Sequence, residues 1–218
     1  MIFKKGDRIV FAGDSVTDDG RARPVGDGEQ HELGNGFVQQ IAMFLAVDYP
    51  ELDLRVINMG ISGNTSRDLL ERWESDVNAL SPDWVVMMIG INDVWRQFDS
   101  PCRPDRAVSP EEYRKNLNVI ADKTSAKAIW LTPYYLEPNE KDAMRARTDE
   151  YRAIFKEVAK GHGIPVVDLQ EAFAHLLKHR YPAYITWDRV HPNKIGSMVI
   201  ARAFLKAVGY EARYDFGE

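Results

Sequence analysis

The sequence predicts one α/β domain, residues 1–218, with helices on both faces of a parallel sheet. Three observations carry this. Five short runs are apolar almost without interruption, as strands buried on both faces are. Amphipathic stretches separate them, so strand and helix alternate from end to end, the pattern of a three-layer fold with right-handed crossovers. No repeat, low-complexity tract or linker divides the chain, whose 218 residues suit one large domain.

The first strand is expected at Arg8–Ala12. Phe37–Val47 then places Phe37, Ile41, Phe44 and Leu45 on one helical stripe. Leu54–Asn58 reads as the second strand, and Ser66–Leu80 as a helix burying Leu69, Leu70, Trp73 and Val77. Trp84–Ile89 is the third strand. Ser109-Pro110-Glu111-Glu112 is a capping box with proline at the first helical position, so a helix runs from there to about Lys123. Ala128–Leu131 is the fourth strand. A helix over roughly Asp142–Lys160 ends at Gly161 or Gly163. Pro165–Val167 is the fifth strand, and Pro192 opens a last helix carrying Ile195, Val199, Ile200, Phe204 and Leu205. The longest irregular stretches, Thr17–Gly36 and Trp95–Val108, follow strand ends, where open α/β sheets bind ligands.

Composition narrows the partners. Apolar residues make up 44%, enough for a sizeable core. The 28 Lys and Arg against 33 Asp and Glu leave a formal charge of 28 − 33 = −5, which gives no reason to bind nucleic acid or an anionic membrane. No apolar run is long enough to span a bilayer, and the first residues lack the order of a signal peptide. Cys102, the single cysteine, excludes an internal disulfide. A soluble cytoplasmic protein is expected.

Four polar patches sit at the ends of predicted elements. In Gly13-Asp14-Ser15 the serine lies just past the first strand, free to point out of the sheet or to serve as a turn or cap residue. Gly60, in Asn58-Met59-Gly60-Ile61-Ser62-Gly63-Asn64, follows the second strand. It can offer an unobstructed backbone N–H to an oxyanion, or be an ordinary turn glycine. Asn92 in Gly90-Ile91-Asn92-Asp93 has an amide that can donate to the same oxyanion or cap a turn. Asp93 reads as a structural cap for the residues after it. Asp188 and His191 are spaced so that one turn brings the carboxylate to one ring nitrogen while the other faces a serine; alternatively Asp188 caps the last helix. There is no Gly-x-Ser-x-Gly, so an α/β-hydrolase nucleophile elbow is absent. His31, His162, His175 and His179 have no zinc-ligand spacing, and no metal or organic cofactor is expected.

Ser15, Gly60, Asn92 and His191, in this order, resemble the SGNH (GDSL-type) hydrolase family, with valine at position 16 where many members have leucine. The resemblance implies a flavodoxin-like α/β/α sandwich with five parallel strands. It also implies a Ser15 nucleophile, a His191 base oriented by Asp188, and an oxyanion hole of Ser15 N–H, Gly60 N–H and the Asn92 amide. A longer likeness covers Gly20-Arg21-Ala22-Arg23-Pro24, the stretch from Gly60 to Thr65, Ile91 to Gln97, and Trp187 to Pro192. These segments are similar to intracellular bacterial acetyl xylan esterases of this family, which implies acetylated xylo-oligosaccharides as substrates. Arg21, Arg23, Arg96 and Gln97 then supply donors near the sheet edge, and Asp14, Arg96, Trp95 and Trp187 are the expected substrate contacts. Trp95 and Trp187 offer flat walls for a sugar or a short acyl group. Neither irregular stretch reads as the long apolar lid of a lipase. A thioesterase or lysophospholipase on the same fold, and a carbohydrate-binding protein with an inactive site, remain the rivals. Tyr181, Tyr184 and Trp187 hint at self-association.

Overall fold

The computed structural model describes residues 1–28, 32–99 and 102–213. Its sheet contains β1 (Arg8–Gly13), β2 (Gly26–Asp27), β3 (Arg55–Gly60), β4 (Trp84–Met88), β5 (Lys127–Leu131) and β6 (Val166–Val167), in the order β2-β3-β1-β4-β5-β6. Five strands run parallel, as the sequence predicts. The sixth corrects the count: β2 pairs antiparallel with β3 through Gly26–Asn58 and Asp27–Ile57. Two residues are too few to show a period, so pattern reading passes over them. An ion pair from Arg55 to Asp27 holds this edge.

The helices are α1 (Ser15–Asp18), α2 (Phe37–Asp48), α3 (Ser66–Glu71), α4 (Trp73–Asp76), α5 (Ile91–Asp99), α6 (Pro110–Lys123), α7 (Ala143–Gly161), α8 (Leu169–Leu177) and α9 (Lys194–Ala207). On one face α2 packs against α9, and the Phe11 ring of β1 lies 5.9 Å from Phe37 and 5.5 Å from Phe204. On the other, α6 packs against α7, Tyr113 lies 4.9 Å from Tyr151, and Trp130 of β5 lies 4.9 Å from Phe155. All these rings are buried. Each stabilises the fold by about 2–3 kcal/mol of removed apolar surface, so the core is the ring-filled space between the sheet and its two helical layers.

Four local differences from the sequence reading have physical causes. The single helix expected over Ser66–Leu80 is broken at Arg72, whose φ/ψ of −99/6 is not helical and whose side chain turns back to the sheet. The last helix starts at Lys194 rather than Pro192, because the Asn193 side chain accepts from the Ile195 and Gly196 N–H groups. Residues within the expected loop Trp95–Val108 continue α5 as far as Asp99, and α8 is capped by Asp168. Both helices are short and mix polar with apolar positions. Of the irregular stretches, residues 29–31, His31 among them, and residues 100–101 lie outside the described residues.

The register sets up the site. Gly13 is level with Gly60 and with Met88, Met88 with Leu131, and Leu131 with Val167. The parallel strands therefore finish at one edge. The chain passes from β1 to β3 on one side and later to β4 on the other, so the order reverses beside β1, where a crevice opens.

Candidate active site

Gly13 ends β1, and a Cβ there would strike Met88 O and the Thr17 side chain. Only glycine lets the chain turn this tightly between β4 and α1. Asp14 caps α1 by accepting from Val16 N–H at 3.0 Å, and Ser15 opens the helix. Asp14 is itself buried. Burial pushes its carboxyl up to about 6, against the opposing pull of Val16 N–H, His191 and Arg72. It is a cap beneath the site, which corrects the expectation that it contacts substrate.

Ser15 Oγ lies 2.6 Å from His191 Nε2, and His191 Nδ1 lies 2.5 Å from Asp188 Oδ2. These groups come from opposite ends of the chain, and the loop that brings the second pair is firmly held. Thr186 bridges to Pro192, Leu136 N–H donates to Arg189 O at 2.8 Å, and the Tyr134 hydroxyl donates to Val190 O at 2.9 Å. Arg189 adopts a left-handed φ of 67° to make the reversal, a strain of roughly 1–2 kcal/mol. Asp188 Oδ1 accepts from Val190 N–H at 2.9 Å, His191 N–H at 2.8 Å and Thr186 Oγ1 at 3.1 Å. It caps its own loop rather than α9.

The same contacts set the charge states. Burial pushes the Asp188 carboxyl up, but the His191 ring and the two loop N–H groups outweigh it and hold it below the usual carboxylate range. The hydrogen bond that His191 Nδ1 donates to Asp188 raises His191 above its ordinary 6.5, with burial pulling the other way. An ionised Asp188 fixes the imidazole proton on Nδ1 and leaves Nε2 to accept from Ser15. Chemically, the trio can take a proton from a serine hydroxyl and return it.

Gly60 is corrected. Its N–H donates to Asn58 Oδ1 at 2.9 Å, so that hydrogen is already committed. Gly60 lies inside β3 and is glycine for another reason: a Cβ would strike the backbone of Asp18. Three residues on, Gly63 sits in a turn at φ 84°, and its N–H has no partner among the described residues. Ser15 N–H is similarly uncommitted among them. The motif held both glycines; choosing between them requires the strand end, which lies two residues beyond the expected Asn58.

Asn92 stands at the start of α5. Its Nδ2 donates one hydrogen to Asn64 O at 3.0 Å, beside the Gly63 turn, and its Oδ1 accepts from Arg96 Nη2 at 2.9 Å. Asp93 is structural, yet it does not cap the residues after it. It is buried and accepts from Ser66 N–H at 3.1 and 3.0 Å and from Ser66 Oγ at 2.5 Å, anchoring the start of α3; burial pushes it up to about 7.

The expected substrate donors mostly hold the frame. Arg21 is buried and donates to Gly60 O at 2.7 Å, Ala22 O at 2.9 Å and Pro24 O at 2.7 Å. Arg23 donates to Asp18 at 2.5 Å and to Arg21 O at 3.1 Å. Gln97 donates to Asp93 O and the Tyr151 hydroxyl, both at 3.0 Å, and accepts from Arg147. Arg96 turns to Asn92 and Asp99. Trp95 and Trp187, by contrast, flank His191, with ring centroids 5.8 and 6.1 Å away; Trp187 lies within 8° of parallel and is 84% exposed. Sequence reasoning missed Arg72, which donates to Gly13 O at 3.0 Å, Met59 O at 2.8 Å and Asn64 Oδ1 at 2.6 Å, tying together the ends of β1 and β3.

Comparison with known proteins agrees with this geometry. A Geobacillus stearothermophilus protein described as an acetylxylan esterase is 50% identical over 214 residues, covering 97% of this chain and 98% of that protein. The crystal structure of Axe2, an acetylxylan esterase from Geobacillus stearothermophilus, matches with a TM-score of 0.96 at 47% identity, over 99% of this chain and 100% of that one. LAE5, an alpha/beta hydrolase enzyme from the metagenome of Lake Arreo, Spain, matches with a TM-score of 0.91 at 49% identity, over 96% and 98% of the two chains. The sequence profile of the GDSL-like lipase/acylhydrolase family matches residues 11–199, a span that includes Ser15, Asp188 and His191, and the chain belongs to that family.

Proposed function

We propose that the chain is a serine carboxylic ester hydrolase that removes acetyl groups from a carbohydrate, with acetylated xylo-oligosaccharides as its substrates. The observation that carries this reading is the unbroken relay from Ser15 Oγ through His191 to Asp188, at 2.6 and 2.5 Å. Its relatives described as acetylxylan esterases support the substrate class. Ser15 Oγ bonds to the acetyl carbon as its proton passes to His191 Nε2. The resulting oxyanion is received by Ser15 N–H, Gly63 N–H and the second Nδ2 hydrogen of Asn92. The carbon–oxygen bond to the sugar then breaks, and the departing oxygen takes the proton from His191. Water repeats the sequence on the acetyl-Ser15 ester and releases acetate. Trp95 and Trp187 form flat walls beside His191 that suit a sugar ring or a short acyl group.

Self-association belongs to the same proposal, supported by the exposure of Tyr181, Tyr184 and Trp187 near the catalytic loop. So does a cytoplasmic location, where the exposed thiol of Cys102 stays reduced. The deciding experiment pairs deacetylation of acetylated xylo-oligosaccharides with aryl esters of two to twelve acyl carbons. Acetate release from the sugar and a steep preference for acetyl are expected. Rates that climb with acyl length make the chain a thioesterase or lysophospholipase instead. Oligosaccharide binding without turnover makes it a binding protein.

A further inference from the structure

The amide of Asn92 is gripped at both ends by groups of opposite character. Arg96 Nη2 donates to its Oδ1 at 2.9 Å, while Asn64 O accepts from its Nδ2 at 3.0 Å. A guanidinium has donors and no acceptor, and a carbonyl oxygen has no donor, so each partner tolerates only one end of the amide. Turned over, the amide would set NH₂ against guanidinium and oxygen against oxygen. Both partners are themselves fixed. The Arg96 side chain is only 17% exposed and its other arm is paired with Asp99, one turn further along α5. Asn64 is held by Arg72, which also grips Gly13 O and Met59 O. With the amide locked this way, one Nδ2 hydrogen goes to Asn64 and the second is left for the crevice.

We infer that Arg96 is a positioning residue for the oxyanion hole: it fixes the Asn92 amide with its second N–H facing the reacting oxygen, and contacts no substrate itself. The guanidinium charge held against Oδ1 also polarises the amide and makes that N–H a stronger donor as negative charge develops. The inference rests on the oxyanion role proposed for Asn92, and it replaces the expectation that Arg96 binds substrate. The spacing is intrinsic to the helix: residues four apart on α5 share a face, so one short element carries both the donor and the clamp on it.

The test is a double-mutant cycle on 4-nitrophenyl acetate, with Asn92→Ala, Arg96→Ala and the pair, and with thermal unfolding as a check on folding. Asn92→Ala is expected to lower kcat on the order of 10²-fold. Arg96→Ala is expected to lower kcat about 10-fold with KM within about twofold of the parent, because only the developing oxyanion feels the misplaced amide. The double variant is expected to be no slower than Asn92→Ala alone, since the clamp has nothing left to position. Arg96→Lys, which keeps a donor near Oδ1, recovers part of the loss. An unchanged kcat in Asn92→Ala overturns the oxyanion reading itself. If Asn92→Ala is slow, the positioning role is overturned by an unaffected Arg96→Ala, by a rise in KM alone, or by losses that multiply in the double variant. Should Arg96→Ala fail to fold, Arg96→Met, which keeps the apolar stem, runs the same cycle.

Discussion

Replacing Asp188 with asparagine isolates what the carboxylate does. The new amide has the same shape, and its placement is dictated by the loop. The position of Oδ1 receives Val190 N–H, His191 N–H and the Thr186 hydroxyl, so an amide oxygen belongs there. Turning it over would set NH₂ against two backbone donors in a partly buried loop, at up to about 1–3 kcal/mol each. The amide NH₂ therefore faces His191 Nδ1, 2.5 Å away in the parent. The ring answers by moving its proton to Nε2, a small change between two neutral tautomers. Nε2 then points a hydrogen at Ser15 Oγ and cannot accept one. Loss of the correct tautomer in a relay of this kind costs ~10⁴-fold, about 5 kcal/mol of transition-state stabilisation. The assay is kcat/KM for 4-nitrophenyl acetate against pH. In the parent, rate should be lost as pH falls through a midpoint above 6.5, because His191 is raised by Asp188 and works only when neutral. In Asp188→Asn the residual rate should be lost at a lower pH, since the ion pair favouring the charged ring is gone. A variant within about tenfold of the parent at the plateau, with the acid limb unmoved, would refute the reasoning.

Two further outcomes are expected. Ser15→Ala should lower turnover of an aryl acetate by at least ~10⁴-fold while the unfolding temperature moves by no more than a few degrees, since the α1 cap comes from Asp14; retained activity would remove Ser15 from the mechanism. Asp93 is held at about 7 in the fold, above roughly 3.9 for an unfolded chain, so the native state binds the extra proton between those values. The stability it confers is present at low pH and lost as pH rises towards 7. The urea midpoint of the parent should therefore fall relative to that of Asp93→Asn between pH 5 and 8, and an opposite trend would count against burial as the cause.

The parts of this enzyme that obey a period or a spacing were legible in the sequence. The central strands announce themselves because burial on both faces demands unbroken apolar runs, and β1 and β4 start where they were expected. Ser15, Asp188 and His191 were legible because a triad needs those residue types, and the Asp–His pair is local in the chain. What was hidden depends on where a backbone hydrogen already points. Gly60 and Gly63 are equivalent as letters; one donates inside the strand, and the other has no acceptor among the described residues. Arg21 and Arg96 read as donors to a substrate at the sheet edge, yet both face backbone or side-chain oxygens of the frame. Their partners lie on other elements or across a helical turn, and no spacing rule reports which donors are taken. Arg72 breaks a helix that the apolar stripe predicts as continuous, because tying β1 to β3 outweighs one turn of regular backbone.

Ser15 and His191 meet across 176 positions of chain. A growing polypeptide leaves the ribosome from its N-terminus, so the nucleophile and the central strands emerge long before the base. Until residue 191 has appeared and its loop has closed under Tyr134, the serine is an ordinary alcohol. The nascent chain thus stays chemically silent while the strands around the serine fold, and catalytic power waits on the 176 positions that separate the two groups.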